Sequence, residues 1–451
     1  MARVLIETHG CTLNQSDSDI MASVLKGSGN EAQQGKYSDA QRDMYDYVVI
    51  NTCTVRKQTE QRITDRLKRF SGLGNRLIVT GCMASANSDI IKISAPGASI
   101  VSTANILRIQ DVVASGSRHE LLGYAKIQKP GFLDRGGSVI ARIPISEGCL
   151  SSCSFCETKT ARGPLNSFNE DTILKAISMS VNSGAKEIEL ASQDAGAYGA
   201  DTRTGIAGLA SRASSIKGSF MVRIGMLNPE HLHRCIDDLI CSFNDPASKL
   251  FRFLHLPVQS GSNKVLKDMK RRYTIEEFYS YVGELRRSVK GISIATDVIV
   301  GYPTETESDY LETRNMLMEL KPTITNISKF SQRPHAAASR LAQLTANEVK
   351  RRSTELSRMV RAMQKAEYAK LMGKRISVLI TERSGSSVSG RDISYRPVGM
   401  LNAGGAVPGE TVWARAVNSS YACVIASAEP TAEAPDLASD AGLNTLPAIF
   451  Q

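Results

Sequence analysis

Apolar residues recur along the chain in two rhythms, short uninterrupted runs and longer stretches spaced at three and four, and the alternation of the two predicts strands and helices in turn. Residues 3–7, 47–51 and 76–80 are near-continuous apolar runs, the pattern of strands buried on both faces of a parallel sheet. Six further runs follow at 139–145, 187–191, 221–226, 252–258, 294–302 and 325–330, separated by helical stretches such as 171–182, 229–242, 275–289 and 305–320. Six such βα units predict a parallel, barrel-like sheet, an incomplete relative of the eightfold barrel. Beyond residue 374 the rhythm changes to short alternating strands at 375–381, 394–400, 411–417 and 421–426. They are set apart by Gly385, Gly390, Gly404, Gly405 and Pro408-Gly409, and they predict a small antiparallel barrel. The fold class is therefore α/β with three parts. The expected boundaries are an N-terminal parallel α/β domain over 1–118, a linker over 119–137, a partial (β/α)6 barrel over 138–336, a connecting helix over 337–372, the β-barrel over 373–428 and a flexible tail over 429–451.

A chain of 451 residues with 42% apolar content suits several cores rather than one. It carries nine cysteines but neither a signal peptide nor an apolar run of membrane-spanning length. This predicts a cytoplasmic protein with no membrane partner, whose thiols bind metal rather than pair as disulfides. The net charge of +10 is compatible with a polyanionic partner. Lys350, Arg351, Arg352, Arg358, Arg361, Lys365 and Lys370 fall in one predicted helix with an apolar stripe of Leu356, Met359, Val360 and Met363. Such a helix could lay cations along a phosphate backbone or present a solvated face, since Glu348, Glu355 and Glu367 interrupt the basic run.

Cys149, Cys153 and Cys156 form a C-x3-C-x2-C cluster, which supplies thiolates to three of the four irons of a cubane iron–sulfur cluster and leaves the fourth open. Structural zinc sites, by contrast, close with four ligands. Cys11, Cys53 and Cys82 each lie just past a predicted strand. Their separations of 42 and 29 residues suit strand–helix–strand units, whose strand ends share one edge of a parallel sheet. A second trio can converge there. Cys235, Cys241 and Cys423 lack ligand spacing and read as packing residues, and the lone Trp413 as core. Gln193 and Asp194 end the second barrel strand, Gln259 and Ser260 end the fourth, and Asp297 lies in the fifth; each is a candidate for cofactor contact, with a cap or structural hydrogen bond as the alternative.

The run SEGCLSSCSFC at 146–156, followed by Ala161-Arg162-Gly163, resembles the signature of radical S-adenosylmethionine methylthiotransferases. GCTLNQSDS at 10–18, NTCTV at 51–55 and TGCM at 80–83 resemble that family's amino-terminal domain. SQD at 192–194, RIGM at 223–226, HLPVQSG at 255–261 and DVIVGYPTET at 297–306 are similar to its barrel motifs. The C-terminal barrel resembles its TRAM domain, and AGAYG at 195–199 with KFSQRPH at 329–335 look most like the archaeal and eukaryotic branch. The resemblance implies methylthiolation of N6-threonylcarbamoyladenosine at position 37, beside the tRNA anticodon. It implies two [4Fe–4S] clusters, one on Cys149, Cys153 and Cys156 for cleavage of S-adenosylmethionine and one on Cys11, Cys53 and Cys82 as a sulfur-donor site. Its implied partners are a tRNA anticodon loop, a reducing electron donor and a sulfur source. Asn166 and Phe168 depart from the arginine and tyrosine usual there. Two alternatives are methylthiolation of a protein side chain and a non-enzymatic metal-binding RNA-binding protein.

Overall fold

Alternating strands and helices build the first part of the computed structural model, which describes residues 1–54, 57–133 and 137–429. Its strands are β1 (Arg3–Thr8), β2 (Glu31–Gln34), β3 (Tyr47–Thr52), β4 (Leu77–Gly81), β5 (Ser99–Val101) and β6 (Glu120–Leu121). They pair in parallel in the order β2-β1-β3-β4-β5-β6. The apolar runs read from the sequence are the central strands β1, β3 and β4, whose side chains are almost wholly buried. The edge strands β2 and β6 are short and polar, which is why hydrophobic patterning does not find them. β6 lies inside the stretch expected to be a linker. So does a 3-10 turn at Lys129–Phe132, whose Lys129 is fully buried.

The central part contains β7 (Ile140–Pro144), a two-residue pairing of β8 (Ser146–Glu147) with β9 (Asn166–Ser167), then β10 (Glu187–Ala191), β11 (Met221–Ile224), β12 (Phe253–His255), β13 (Ser293–Val300) and β14 (Ile324–Lys329). Parallel triplets β11-β10-β7 and β12-β13-β14 meet at a seam bridged by Val222 with Leu250 and Met226 with His255. This is the expected six-stranded parallel arrangement, with helices such as Glu170–Asn182, Ile275–Ser288 and Glu307–Leu320 between the strands. The helix expected over 229–242 is broken into Pro229–Leu232 and Ile236–Asn244. Phe168, one of the two departures from the family pattern, is buried in this core. Asn166 pairs with Glu147 across the β8–β9 ribbon.

The basic helix spans Ala346–Ala369 and buries Leu356 and Val360 against the barrel. Arg352 turns inward, almost fully buried against Glu305 at 2.7 Å and Glu348 at 2.6 Å, so it is a structural cation and not part of the exposed basic face. Beyond it, β15 (Arg375–Ser384), β16 (Ser387–Asp392), β17 (Pro397–Leu401), β18 (Thr411–Ser419) and β19 (Val424–Ala428) close a barrel in the order β15-β16-β17-β19-β18. Its pairings are antiparallel except β17 with β19. β16 was expected to be a turn because of its glycine. Gly390 sits within the strand because a Cβ there would stand 2.1 Å from the carbonyl oxygen of Leu379. Trp413 is not core: it is half-buried, with the Arg375 guanidinium 4.2 Å above its ring. Cys241 is exposed, so it does not pack as expected, whereas Cys235 and Cys423 are half-buried. Of the tail expected over 429–451, residues 430–451 lie outside the described residues.

The C-terminal barrel docks against the amino-terminal ends of the central strands. Tyr395, held at φ +59°, packs on Phe251 and Phe253 and donates its hydroxyl to Glu187 Oε1 at 2.6 Å and Glu189 Oε1 at 3.0 Å. Burial, reinforced by neighbouring Glu189, pushes the Glu187 carboxyl up to about 7, against the opposing pull of Tyr395, Arg391 and Arg223. A carboxyl raised on folding stabilises fully below its unfolded value of 4.5, and that contribution is lost as pH rises through about 7. Glu187→Gln is therefore expected to flatten the fall in urea midpoint between about pH 5 and about pH 8 by the equivalent of about 3 kcal/mol. An unchanged fall in the variant would clear Glu187 as its source.

Candidate metal and cofactor site

In the first sheet the chain leaves β1 toward β2 on one side and toward β3 on the other, so a crevice opens beyond the carboxyl ends of β1 and β3. Cys11 precedes the helix Thr12–Gly27, Cys53 follows β3, and Cys82 opens the short helix Cys82–Ala86 after β4. Asn14, one turn into the first helix, gathers them: its Oδ1 accepts from the Cys11 thiol at 3.4 Å and the Cys82 thiol at 3.8 Å. Its Nδ2 donates to the Thr52 carbonyl at 2.7 Å, fixing the end of β3. A Cβ on Gly10 would lie 3.1 Å from that of Cys53. Gly81, at φ +91°, permits the turn into Cys82, since a Cβ there would stand 2.3 Å from the Thr52 carbonyl oxygen. The three thiols expected to converge are thus brought to one edge. Burial pushes the Cys82 thiol up, so metal binding there would have to displace a firmly held proton.

The other trio lies beyond the end of β7. Gly148 turns the chain at φ +80°, with a Cβ excluded by the Pro164 carbonyl oxygen 2.0 Å away. Ser154 anchors the loop through the carbonyl of Asp268 and the hydroxyl of Tyr302, both at 2.8 Å. Arg271 donates Nη1 to the Cys153 sulfur at 3.4 Å, and the Thr158 amide donates to the Cys156 sulfur at 3.3 Å. Burial, with the Asp194 carboxylate nearby, pushes the Cys149 thiol up to about 12, and Cys149, Cys153 and Cys156 lie within one another's electrostatic field. Among the described residues no three His, Cys, Asp or Glu side chains are close enough to hold one metal ion. A cluster in which each thiolate ligates a different iron needs no such single-ion geometry, and on the barrel side hydrogen bonds to two of the three sulfurs are in place.

The two trios face each other. The helix Cys82–Ala86 packs on the helix Thr158–Arg162, and Thr54, beside Cys53, donates to Glu157, beside Cys156, at 3.1 Å. Arg162 donates to Asn14 Oδ1 at 3.1 Å and to Glu147 Oε1 at 2.9 Å, and its guanidinium forms an ion pair with Asp17 Oδ2 at 2.7 Å without hydrogen-bond alignment. Lys129 pairs with the same two carboxylates at 2.9 and 2.8 Å. All four charged side chains are buried, and their formal charges cancel. Arg333 reaches across to Glu60, adding a peripheral tie.

The cofactor candidates are spread along the carboxyl edge of the central strands. Gln193 Oε1 and Ser192 Oγ are buried without a hydrogen-bond partner. Asp194 uses Oδ1 to accept from the amides of Gly196 and Asn228 at 3.1 and 3.0 Å, and its Oδ2 lies 3.3 Å from His231 Nε2 in poor hydrogen-bond alignment. A cavity of about 260 Å³ beside them is lined by Leu150, Glu230, His231, His233, Arg234 and Arg272. Gln259 adopts φ +72° and is tied through its backbone to Asp297 and Ile299. Ser260 is fully buried, its hydroxyl 3.3 Å from that of Thr313 and accepting from the Ser262 amide. Asp297 is half-exposed, with Oδ1 accepting from Asn326 at 2.8 Å and lying 3.1 Å from His255 Nε2. Sequence reasoning missed Lys129, Glu157, Arg271 and His231 outright. Asn14, Asp17, Glu147 and Arg162 fall within quoted motifs, but only their contacts reveal a role.

Residues 3–102 match the uncharacterized protein family UPF0004, and residues 143–317 match the Radical SAM superfamily. The chain is 37% identical to a protein of Archaeoglobus fulgidus named "Probable threonylcarbamoyladenosine tRNA methylthiotransferase", over 88% of this chain and 92% of the relative. A Methanothermobacter thermautotrophicus protein of the same name is 38% identical over 88% and 93%. The Xenopus laevis threonylcarbamoyladenosine tRNA methylthiotransferase is 33% identical over 85% and 69%. Among solved structures, the radical S-adenosylmethionine methyltransferase TsrM from Kitasatospora setae, with cobalamin and a [4Fe–4S] cluster bound, aligns with TM-score 0.54 at 13% identity over 75% of this chain and 77% of its own, a likeness of fold.

Removing one member of the buried charge cage leaves the others uncompensated. Lys129→Met is expected to lower unfolding free energy by about 3 kcal/mol or more, and Lys129→Met/Glu147→Gln to recover part of that loss. Guanidinium denaturation of both variants checks this, and a single variant as stable as the parent would mean that the cage does not hold the two parts together.

Proposed function

Because the chain belongs to the radical S-adenosylmethionine methylthiotransferase family, in its threonylcarbamoyladenosine tRNA branch, we propose that it converts N6-threonylcarbamoyladenosine at position 37 of tRNA to the 2-methylthio derivative. One observation carries the reading: two thiol trios stand on the facing carboxyl edges of two parallel sheets, joined through a single buried cage. Superfamily membership implies S-adenosylmethionine and a [4Fe–4S] cluster. Cys149, Cys153 and Cys156 would hold that cluster, and Cys11, Cys53 and Cys82 a second. The first would supply the one-electron chemistry that cleaves the sulfonium bond of S-adenosylmethionine, and the second would supply a site for the sulfur to be transferred.

The remaining work falls to side chains. Arg271 hydrogen-bonds the Cys153 sulfur and so orients this ligand. The unpartnered Gln193 carbonyl is free to accept from a cofactor ammonium or hydroxyl, and Asp194 keeps Oδ2 beside His231, 3.3 Å away. Gln259, Ser260 and Asp297 complete the same edge as weaker candidates; the Ser260 hydroxyl is already engaged internally. An adenine inside a duplex hides the carbon to be attacked, whereas an anticodon-loop base can be splayed out of its stack into an active site. Lys350, Arg358, Arg361 and Lys365 are exposed along the helix Ala346–Ala369, suited to phosphates. The TRAM-like barrel sits at the opposite end of the central strands, so it would grip tRNA away from the reacting base. Cytoplasmic location, an external one-electron donor and an external sulfur source belong to the same proposal. No helix among the described residues is long and apolar enough to cross a membrane.

Anaerobic iron and sulfide analysis tests the ligand assignment. About eight irons are expected in the reconstituted protein, falling to about four with loss of 5′-deoxyadenosine formation in Cys149→Ala/Cys153→Ala/Cys156→Ala. Four irons at most in the parent would remove the second cluster and the sulfur-delivery step. The methylthio group is expected on tRNA, and its appearance on protein alone would overturn the substrate.

A further inference from the structure

Arg162 belongs by sequence to the barrel, six residues beyond Cys156, yet its guanidinium bonds to Asn14, which accepts from the thiols of the other trio. It is 1% exposed, shares the Asn14 oxygen with the Cys11 and Cys82 thiols, and lies within hydrogen-bond reach of Cys82. Asp17 and Glu147 clamp it from behind, and with Lys129 they leave it little freedom to turn. Neither thiolate ligation nor packing requires a buried cation at this place. Cluster potentials respond to net charge and to hydrogen bonds on the sulfurs. Reduction adds one electron, and with it one negative charge, to a cluster, and a fixed cation a few bonds away in a dry interior favours the more negative state.

We infer that Arg162, contributed by the barrel, is the positioning and charge-setting residue of the upstream cluster, holding its reduction potential up and tying its ligand Cys82 to the barrel. The inference rests on the proposal that Cys11, Cys53 and Cys82 hold a cluster. Asp17, the anion in the same cage, acts with the opposite sign.

The test is a dithionite titration followed by electron paramagnetic resonance on full-length protein carrying Cys149→Ala/Cys153→Ala/Cys156→Ala, so that only the upstream cluster takes the electron. Arg162→Gln is expected to move the midpoint to lower potential, Asp17→Asn to higher, and Arg162→Lys to stay nearer the parent. Opposite shifts are the signature of charge, because loosened packing alone would not change sign with the charge removed. Where Arg162→Gln alone does not fold, the charge-balanced Arg162→Gln/Asp17→Asn variant is expected to show a smaller downward shift, since Arg162 shares the Asn14 oxygen with both thiols whereas Asp17 meets it from behind. Loaded clusters whose midpoint does not move, or moves the same way in both single variants, would overturn the role of Arg162. A parent background that binds no iron would instead overturn the second cluster itself.

Discussion

Four charges buried from water, Asp17, Lys129, Glu147 and Arg162, hold the two catalytic halves in register. Each comes from a different segment: the first helix of the N-terminal sheet, the connector, the strand before the C-x3-C-x2-C run and the helix after it. Burying such a set stabilises little in net terms, because desolvation offsets most of the attraction, but any arrangement that leaves one charge unpaired is strongly disfavoured. The cage therefore acts mainly on geometry. It favours one mutual orientation of the halves, the one in which the helix Cys82–Ala86 packs on the helix Thr158–Arg162 and the segments carrying the two trios adjoin.

Within that orientation the backbone does the fine placement. Parallel strands bring their carboxyl ends to one edge, and Gly81 and Gly148 let the chain turn tightly enough to set a cysteine there. Asn14 is the hub on the upstream side, holding two thiols with its oxygen and the end of β3 with its nitrogen. On the barrel side, Ser154 pins the loop while Arg271 and Thr158 meet the sulfurs. Metal-site chemistry depends on such outer partners as much as on the ligands.

The C-terminal barrel is attached away from the strand ends that carry the cysteines. Its Tyr395 wedges between Glu187 and Glu189 at the beginning of β10, at the end of the sheet opposite the cysteines. Strand beginnings thus carry domain docking and strand ends carry chemistry, the division of labour general to parallel barrels.

The amino-acid sequence by itself determined the three-part α/β architecture, the six central strands and the grouping of six cysteines into two trios, because period, strand-end position and local spacing are written in neighbouring residues. It could not reveal β2, β6 or β16, whose polar or glycine-bearing strands are specified by the partners they pair with. Nor could it reveal that Trp413 stands half-exposed under Arg375, or that Arg352 turns inward from a basic face to meet Glu305. The cage was least legible of all. Lys129 lies 112 residues from Asp17, and Arg162 lies 148 from Asn14, so nothing local marks them as partners. Only the packing of one sheet edge against another decided that these charges meet, since the worth of a buried ion depends on what surrounds it in space and not on what adjoins it in the chain.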